Sequence, residues 1–378
     1  MSITIPTPKP RSELMDNIIK LERFRNRPLT FTANQWDFLQ LKSIFHLVEA
    51  VASARIEGNH TTIIEYIQSS LDPEPIMDER FVEIQNLLRT LEFIDDTINE
   101  TEINGQYLRE IQSIVVEDLS DEGDRNAGAY RDHPIKISHS KHQPPYPADI
   151  RDQMDELIDF INAPRIHEYE DLLKVAITHH RFVWIHPFGN GNGRTVRMLT
   201  YAMLCKQQFT SSDEFRLFNP TAVFSSNRNR YYDMLELADD LKNPHILSWC
   251  DYFIASLLSE LEKSNLLSQR NFIKDNLILP AINQAQTHNL VGAQDAEILK
   301  LVVQLGAAKA KDIATTWRKP VGSVNVSKRI ASLKQRKLLE TTVPSGREYH
   351  LRYTGNILTY YIMSQMNAHN LLPIPIDA

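Results

Sequence analysis

The stretch His186-Pro187-Phe188-Gly189-Asn190-Gly191-Asn192-Gly193-Arg194-Thr195-Val196-Arg197 constrains this chain more than any other. Three glycines in five residues permit positive φ and bring bare backbone N–H groups close to whatever lies opposite. Beyond them Val196, Leu199, Ala202 and Met203 recur at helical spacing, so these amides sit at a helix N-terminus. There the free N–H groups and the positive dipole end attract anions. Arg194 and Arg197 lie three apart on the first turn and share a face. His186 stands before Pro187, which cannot continue a helix regularly, and an imidazole with a pKa near ~6.5 can accept a proton at neutral pH. A tight structural turn accounts for any one of these features alone. Their coincidence within twelve residues points to a polyphosphate site, with His186 placed to deprotonate a hydroxyl that attacks phosphorus in line. The string GxxxxGK[ST] and the kinase signatures are absent. His179, His180 and His186 lack the HExxH and paired-Cys spacings of a zinc site.

The rest of the sequence predicts a mainly α fold. Apolar residues recur every three or four positions over 32–70, among them Trp36, Leu39, Ile44, Leu47, Val48 and Val51. Helical patterns follow over 77–99, 105–119, 147–163, 169–185, 192–208, 225–241 and 244–270, and another begins near Phe272. Residues 121–146, with Gly, Asn, Pro and the alternation Ile135-Lys136-Ile137, read as a loop with a short β-hairpin. Residues 1–27, rich in proline and charge, read as an extended surface arm. Hydrophobic content of 42% and charged content of 24% exclude a disordered chain. Cys205 and Cys250 sit in apolar runs as core thiols, which fits a reducing compartment. No apolar leader and no run of about 18 apolar residues is present, so a cytoplasmic location without membrane contact is expected.

Residues 293–351 have another texture. Helical runs at 294–304, 308–317 and 321–337 precede two short β-prone pieces separated by Pro344-Ser345-Gly346, the layout of a winged helix-turn-helix. Residues 306–352 carry eleven Lys/Arg against three Asp/Glu, an excess of +8 that leaves −15 for the rest of a chain of net charge −7. Lys328, Arg329, Lys334, Arg336 and Lys337, with Asn325 and Ser327, would line a recognition helix and Arg347 a wing tip, so duplex DNA is a candidate partner. Dimerisation or protein docking fits such a module as well, a homodimer included.

The glycine-rich stretch resembles the motif HPFx(D/E)GNGRxxR of the Fic (filamentation induced by cAMP) family of protein adenylyltransferases. The resemblance implies that His186 activates a Ser, Thr or Tyr hydroxyl of a target protein, which then receives AMP from ATP. It implies that Asn190, Gly191, Asn192, Gly193, Arg194 and Arg197 hold the nucleotide. Gly128-Ala129-Tyr130-Arg131 followed by Ile135, Lys136, Ile137 and Ser138 is similar to the family's target-docking flap, closed by Pro144-Pro145. Tyr231 and Tyr232 resemble the pair lining the adenine pocket, and Asp239 falls where a pocket Asn is common. Relatives that transfer phosphate differ within the glycine loop, so Gly191 favours AMP transfer. The acidic residue that would bind Mg²⁺ or Mn²⁺ is replaced by Asn190, whose amide carbonyl lacks the charge of a carboxylate.

Ser53-Ala54-Arg55-Ile56-Glu57-Gly58-Asn59 resembles the inhibitory motif (S/T)xxxE(G/N) of self-restrained members, here N-terminal to the core. Glu57 would pair with Arg197 and take the donor that the γ-phosphate would otherwise meet. The expected organisation is 1–120 with the inhibitory helix, 121–270 as catalytic core, 271–292 as linker helix and 293–378 as winged helix. The alternative function is a DNA-binding regulator whose core senses nucleotide or is weakly active.

Overall fold

A computed structural model describes residues 3–26, 35–72, 78–137, 140–209, 219–316, 323–343 and 346–377. Of the positions singled out above, Ser138, Trp317, Pro344 and Ser345 lie outside the described residues, as does the side chain of Asn325. The chain groups into two compact units: residues 1–28, 46–61 and 77–262 form one, and residues 29–45, 62–76 and 263–378 the other.

The first unit is built around the helices Glu170–Ile185 and Asn192–Lys206, which pack on each other and are flanked by Gly105–Val115, Pro147–Asn162 and Glu79–Thr97. Both central helices are buried nearly all round, including Thr178, His179, Arg194 and Arg197. A helix covered on every face leaves no wet side for polar residues, so His179, Arg194 and Arg197 find partners inside, whereas the Thr178 hydroxyl has none among the described residues. Trp249, Phe224, Phe253 and Tyr231 fill the space beside His179. Cys250 is buried as expected, whereas Cys205 is partly exposed.

Residues 1–27 are not wholly an extended arm. Ser12 caps a helix over Glu13–Arg25, accepting from Met15 N at 3.3 Å, and Leu14, Ile18 and Leu21 bury one stripe of it. The 32–70 pattern is two helices, Gln35–Glu57 and Ile63–Leu71. Gly58 breaks it at φ 110, where a side chain is strained, and a Thr62/Glu65 capping box starts the second. Leu39, taken as part of the apolar stripe, is exposed.

The second unit holds an antiparallel sheet ordered β1-β3-β2, with β1 Ala308–Lys309, β2 Leu339–Thr341 and β3 Glu348–Leu351. Ala308 pairs with Tyr349 and Leu339 with Leu351. Strand β1 occupies what the pattern assigned to the start of a helix, which instead covers Ala310–Thr316. With helices Ala293–Leu305 and Ser323–Gln335 the order is helix, strand, helix, helix, strand, strand. A helix over Leu358–Ala368, absent from the sequence reading, buries Leu358, Ile362, Met363 and Met366. The basic helix is less free than its composition suggests. Arg329 and Arg336 both pair with Asp295, at 2.9 and 3.1 Å, leaving Lys328, Lys334 and Lys337 exposed. No described helix is long and apolar enough to cross a membrane.

Candidate active site

His186 ends the helix Glu170–Ile185 in a left-handed conformation, φ 50 and ψ 62. That backbone costs a non-glycine residue about 1–2 kcal/mol, so its surroundings must hold it. The ring Nδ1 lies 3.0 Å from the Val183 carbonyl, which can only accept. Nδ1 therefore carries the hydrogen, and Nε2 of the neutral ring keeps its lone pair. Burial, with the Arg131 cation and His142 adding to it against the pull of Val183 and Glu57, brings the pKa of His186 down to about 4. The ring is thus a free base at neutral pH. Its folded value lies below the unfolded one, so acid costs stability between pH 6.5 and about 4, where the unfolded chain binds the extra proton. An NMR titration of ¹³C-labelled histidine is expected to find His186 neutral through pH 6 and protonating near 4; a midpoint at the ordinary 6.5 would contradict this burial.

The loop that follows is fixed from within. Asn192 accepts from Phe188 N and donates to Phe188 O, both at 2.9 Å, so its amide clasps the bend shut. Gly191 takes φ 77 at the helix N-cap, and a Cβ there would stand 2.6 Å from Val116 Cγ1. Two residues that the sequence reading passed over hold the outside of the loop. Gln112 donates to the Asn190 carbonyl at 3.1 Å, and Asp124 accepts from Asn190 N at 3.2 Å. Neither carries a local signal, because each works across the fold.

Both arginines are buried and both are engaged. Arg197 donates through Nε to Ser53 Oγ at 2.8 Å and through Nη2 to Ser53 O at 2.9 Å and to Glu57 Oε1 at 2.7 Å. The Glu57 carboxylate also lies against Gly193, where any added Cβ would collide with it. A carboxylate therefore occupies the helix N-terminus beside Arg197. Burial alone would raise the pKa of Glu57, but Arg197 and then Arg194 outweigh it and hold the value below 4.5. Arg194 donates to Glu83 Oε1 at 2.8 Å and to Glu122 O at 3.0 Å, and Asn59 donates to Glu83 Oε2 at 2.7 Å. Gly58 turns the chain between Glu57 and Asn59. Ser53, Glu57, Gly58 and Asn59 are thus brought to both arginines, whereas the guanidinium of Arg194 meets carboxylates that the sequence reading did not assign.

The proposed base-binding residues part company. Tyr232 is exposed and donates to the Ile56 carbonyl at 3.1 Å, next to Glu57. Tyr231 is buried, its hydroxyl 2.8 Å from His179 Nε2. Asp239 is held 3.1 Å from His180 Nε2. Residues 133–137 have no strand assignment or strand partner among the described residues, where a flap hairpin was expected. Pro144 and Pro145 on its return have no N–H to offer a ladder. At the motif's acidic position the loop offers an amide rather than a carboxylate. Asn190 Oδ1 accepts from Gly191 N at 2.7 Å, and among the described residues no three His, Cys, Asp or Glu converge.

Residues 102–204, which span the base, the loop and both arginines, match the Fic/DOC family. These 103 of the chain's 378 residues are similar to Fic domains. Curated relatives named Protein adenylyltransferase Fic include one from Aedes aegypti, 26% identical over 191 residues, which are 50% of this chain and 36% of that protein. One from Nematostella vectensis is 28% identical over 145 residues, 36% of this chain and 31% of that protein. The chain thus aligns with about a third of the length of these relatives. Among solved structures, a Fic family protein from Desulfovibrio desulfuricans has a TM-score of 0.57 at 17% identity, covering 94% of this chain and 100% of that one. Fic-1 from C. elegans has a TM-score of 0.54 at 16% identity, covering 68% and 74%. At these identities the structures bear on the fold. Within the Fic motif the acidic position is Asn190, and its amide is turned onto the loop itself.

Proposed function

We propose that this protein transfers AMP from ATP to a protein hydroxyl and is held inactive by Glu57. The observation that carries the reading is the Glu57 carboxylate seated on Gly193 and Arg197, an anion held by a guanidinium at a helix N-terminus, with a neutral His186 in the same unit. A polyphosphate has the charge and the acceptors to take its place. In the reaction the acceptor oxygen attacks the α-phosphorus and gives its proton to His186 Nε2. The bond from the α-phosphorus to the bridging oxygen of the β-phosphate breaks, and pyrophosphate leaves. The products are an O-linked AMP ester and pyrophosphate. The backbone amides of residues 192 and 193 would meet the charge that develops on the phosphate oxygens. Tyr232, exposed beside the inhibitory helix, would offer the adenine a ring.

Incubation of the Glu57→Gly protein with ATP labelled at the α or the γ position tests the transfer. Protein-bound label from the α position alone supports it; label from the γ position alone would make the chemistry phosphate transfer, and label from neither would end the reading. Because Glu57 titrates below 4.5, its contact with Arg197 is complete above that pH and is lost only as pH falls through its folded value. Release therefore requires displacement rather than mild acid.

The asparagine in the acidic position has its own consequence. In the Glu57→Gly background, exchanging Mg²⁺ for a chelator is expected to change ATP affinity by less than about threefold, and adding Asn190→Asp should make that dependence at least about tenfold, since a carboxylate is the ligand Mg²⁺ prefers. Calorimetry in the two conditions reads both. A strong metal dependence with Asn190 in place would refute it.

The order of elements in the second unit supports a winged helix. A duplex-DNA role for residues 306–352 rests, among the described residues of the helix Ser323–Gln335 and the two after it, on Lys328, Lys334 and Lys337, since Arg329 and Arg336 are tied to Asp295.

A further inference from the structure

Arg131 is 3% exposed, and the partners its guanidinium finds are carbonyl oxygens rather than a carboxylate. Nε donates to His186 O at 2.8 Å, Nη1 to His133 O at 3.0 Å and Nη2 to Pro145 O at 2.7 Å. A longer contact of 3.5 Å joins Nη2 to Ile185 O, and the Arg131 amide donates to Pro187 O at 2.9 Å. A buried cation without a counter-ion is costly, and this one lies where the cost is least. The carbonyls of Ile185 and His186 are the open acceptors at the end of Glu170–Ile185, the negative end of its dipole. His142 adds a second tie at the same end, its Nε2 2.7 Å from Trp184 O. One guanidinium therefore grips the strained peptide of His186 and both limbs of the segment from 133 to 145.

We propose that Arg131 is a positioning residue that fixes the His186 backbone in its left-handed turn and couples it to the segment docking the acceptor. This rests on the transfer reading given above. Charged or titratable groups around the His186 ring are Glu57, Arg131 and His142. Without Arg131 the turn relaxes and the ring loses its aim, while the loop amides, closed by Asn192 and Gln112, keep their place.

The test uses full-length Glu57→Gly protein with Arg131→Gln or Arg131→Lys added. Self-labelling at saturating ATP should slow at least about tenfold in both, toward the ~10²-fold that a misplacement of 1 Å costs, with half-saturating ATP unchanged within about twofold. Lysine should not rescue, since one ammonium cannot reach three divergent carbonyls. Separately from turnover, the ¹³C-histidine titration of His186 should move up from near 4 in Arg131→Gln. Unchanged labelling together with an unchanged titration would overturn the proposal. So would full recovery by Arg131→Lys, because charge alone would then suffice. If Glu57→Gly itself transfers no AMP, the transfer reading falls and the titration still decides the role of Arg131.

Discussion

The Glu57→Gly protein is expected to label itself, or an added acceptor, with AMP about tenfold to a hundredfold faster than the parent. The figure follows from the contact removed: hydrogen bonds to charged groups are worth about 1.5–3 kcal/mol, and each 1.4 kcal/mol is about a factor of ten. In the parent the Arg197 guanidinium spends Nη2 on Glu57 and on the Ser53 carbonyl and Nε on Ser53 Oγ. A γ-phosphate arriving there must displace a carboxylate whose ionised form the two arginines already favour. Glycine at 57 releases the one Nη2 bond that Glu57 accepts and clears the space over Gly193, leaving both bonds of Arg197 to Ser53 in place. Equal initial rates of the two proteins, with α-labelled ATP in excess, would remove Glu57 as the brake.

His186→Ala in that activated background should lower transfer by about 10²–10⁴-fold, the usual contribution of a positioned general base, while ATP affinity stays within about threefold. The separation follows from the geometry. Asn192 closes the bend on Phe188, Gln112 and Asp124 brace Asn190, and no hydrogen bond of the His186 ring goes to the loop. Binding is therefore expected to survive the loss of the imidazole. Single-turnover labelling and calorimetry measure the two halves, and transfer undiminished by alanine would take the base away from His186.

What the sequence disclosed and what it withheld divide along chain distance. The bend at 186–197 was readable because glycine spacing, Pro187 and the helical run after it act on neighbouring residues. Ser53 to Asn59 carries no such local signal; its expected pairing with Arg197 rested on the resemblance to the inhibitory motif of the Fic family, and the two residues do meet, Glu57 and Arg197 at 2.7 Å. The partners of Arg194, the braces on Asn190 and the grip of Arg131 on His186 join residues from 55 to 111 positions apart, and no local pattern announces them. The first helix was hidden by prolines that end before Ser12 caps it. The break at Gly58 was hidden by an apolar periodicity that resumes after Thr62 in the same phase-tolerant spacing. A hairpin was expected from the alternation at Ile135-Lys136-Ile137 and a docking flap from the resemblance, but alternation shows only that a segment can be a strand, not that it is paired.

The claim on which the rest depends is that the Glu57 carboxylate stands where a nucleotide phosphate belongs. Calorimetric titration of ATP, AMP and adenosine into the parent and into Glu57→Gly tests it most directly. The account predicts tighter ATP binding in the variant, by about tenfold or more, with adenosine unchanged, because only the phosphate chain competes with the carboxylate. Glu57→Gly protein with no affinity for any adenine nucleotide, or with ATP binding no tighter than in the parent, would contradict it.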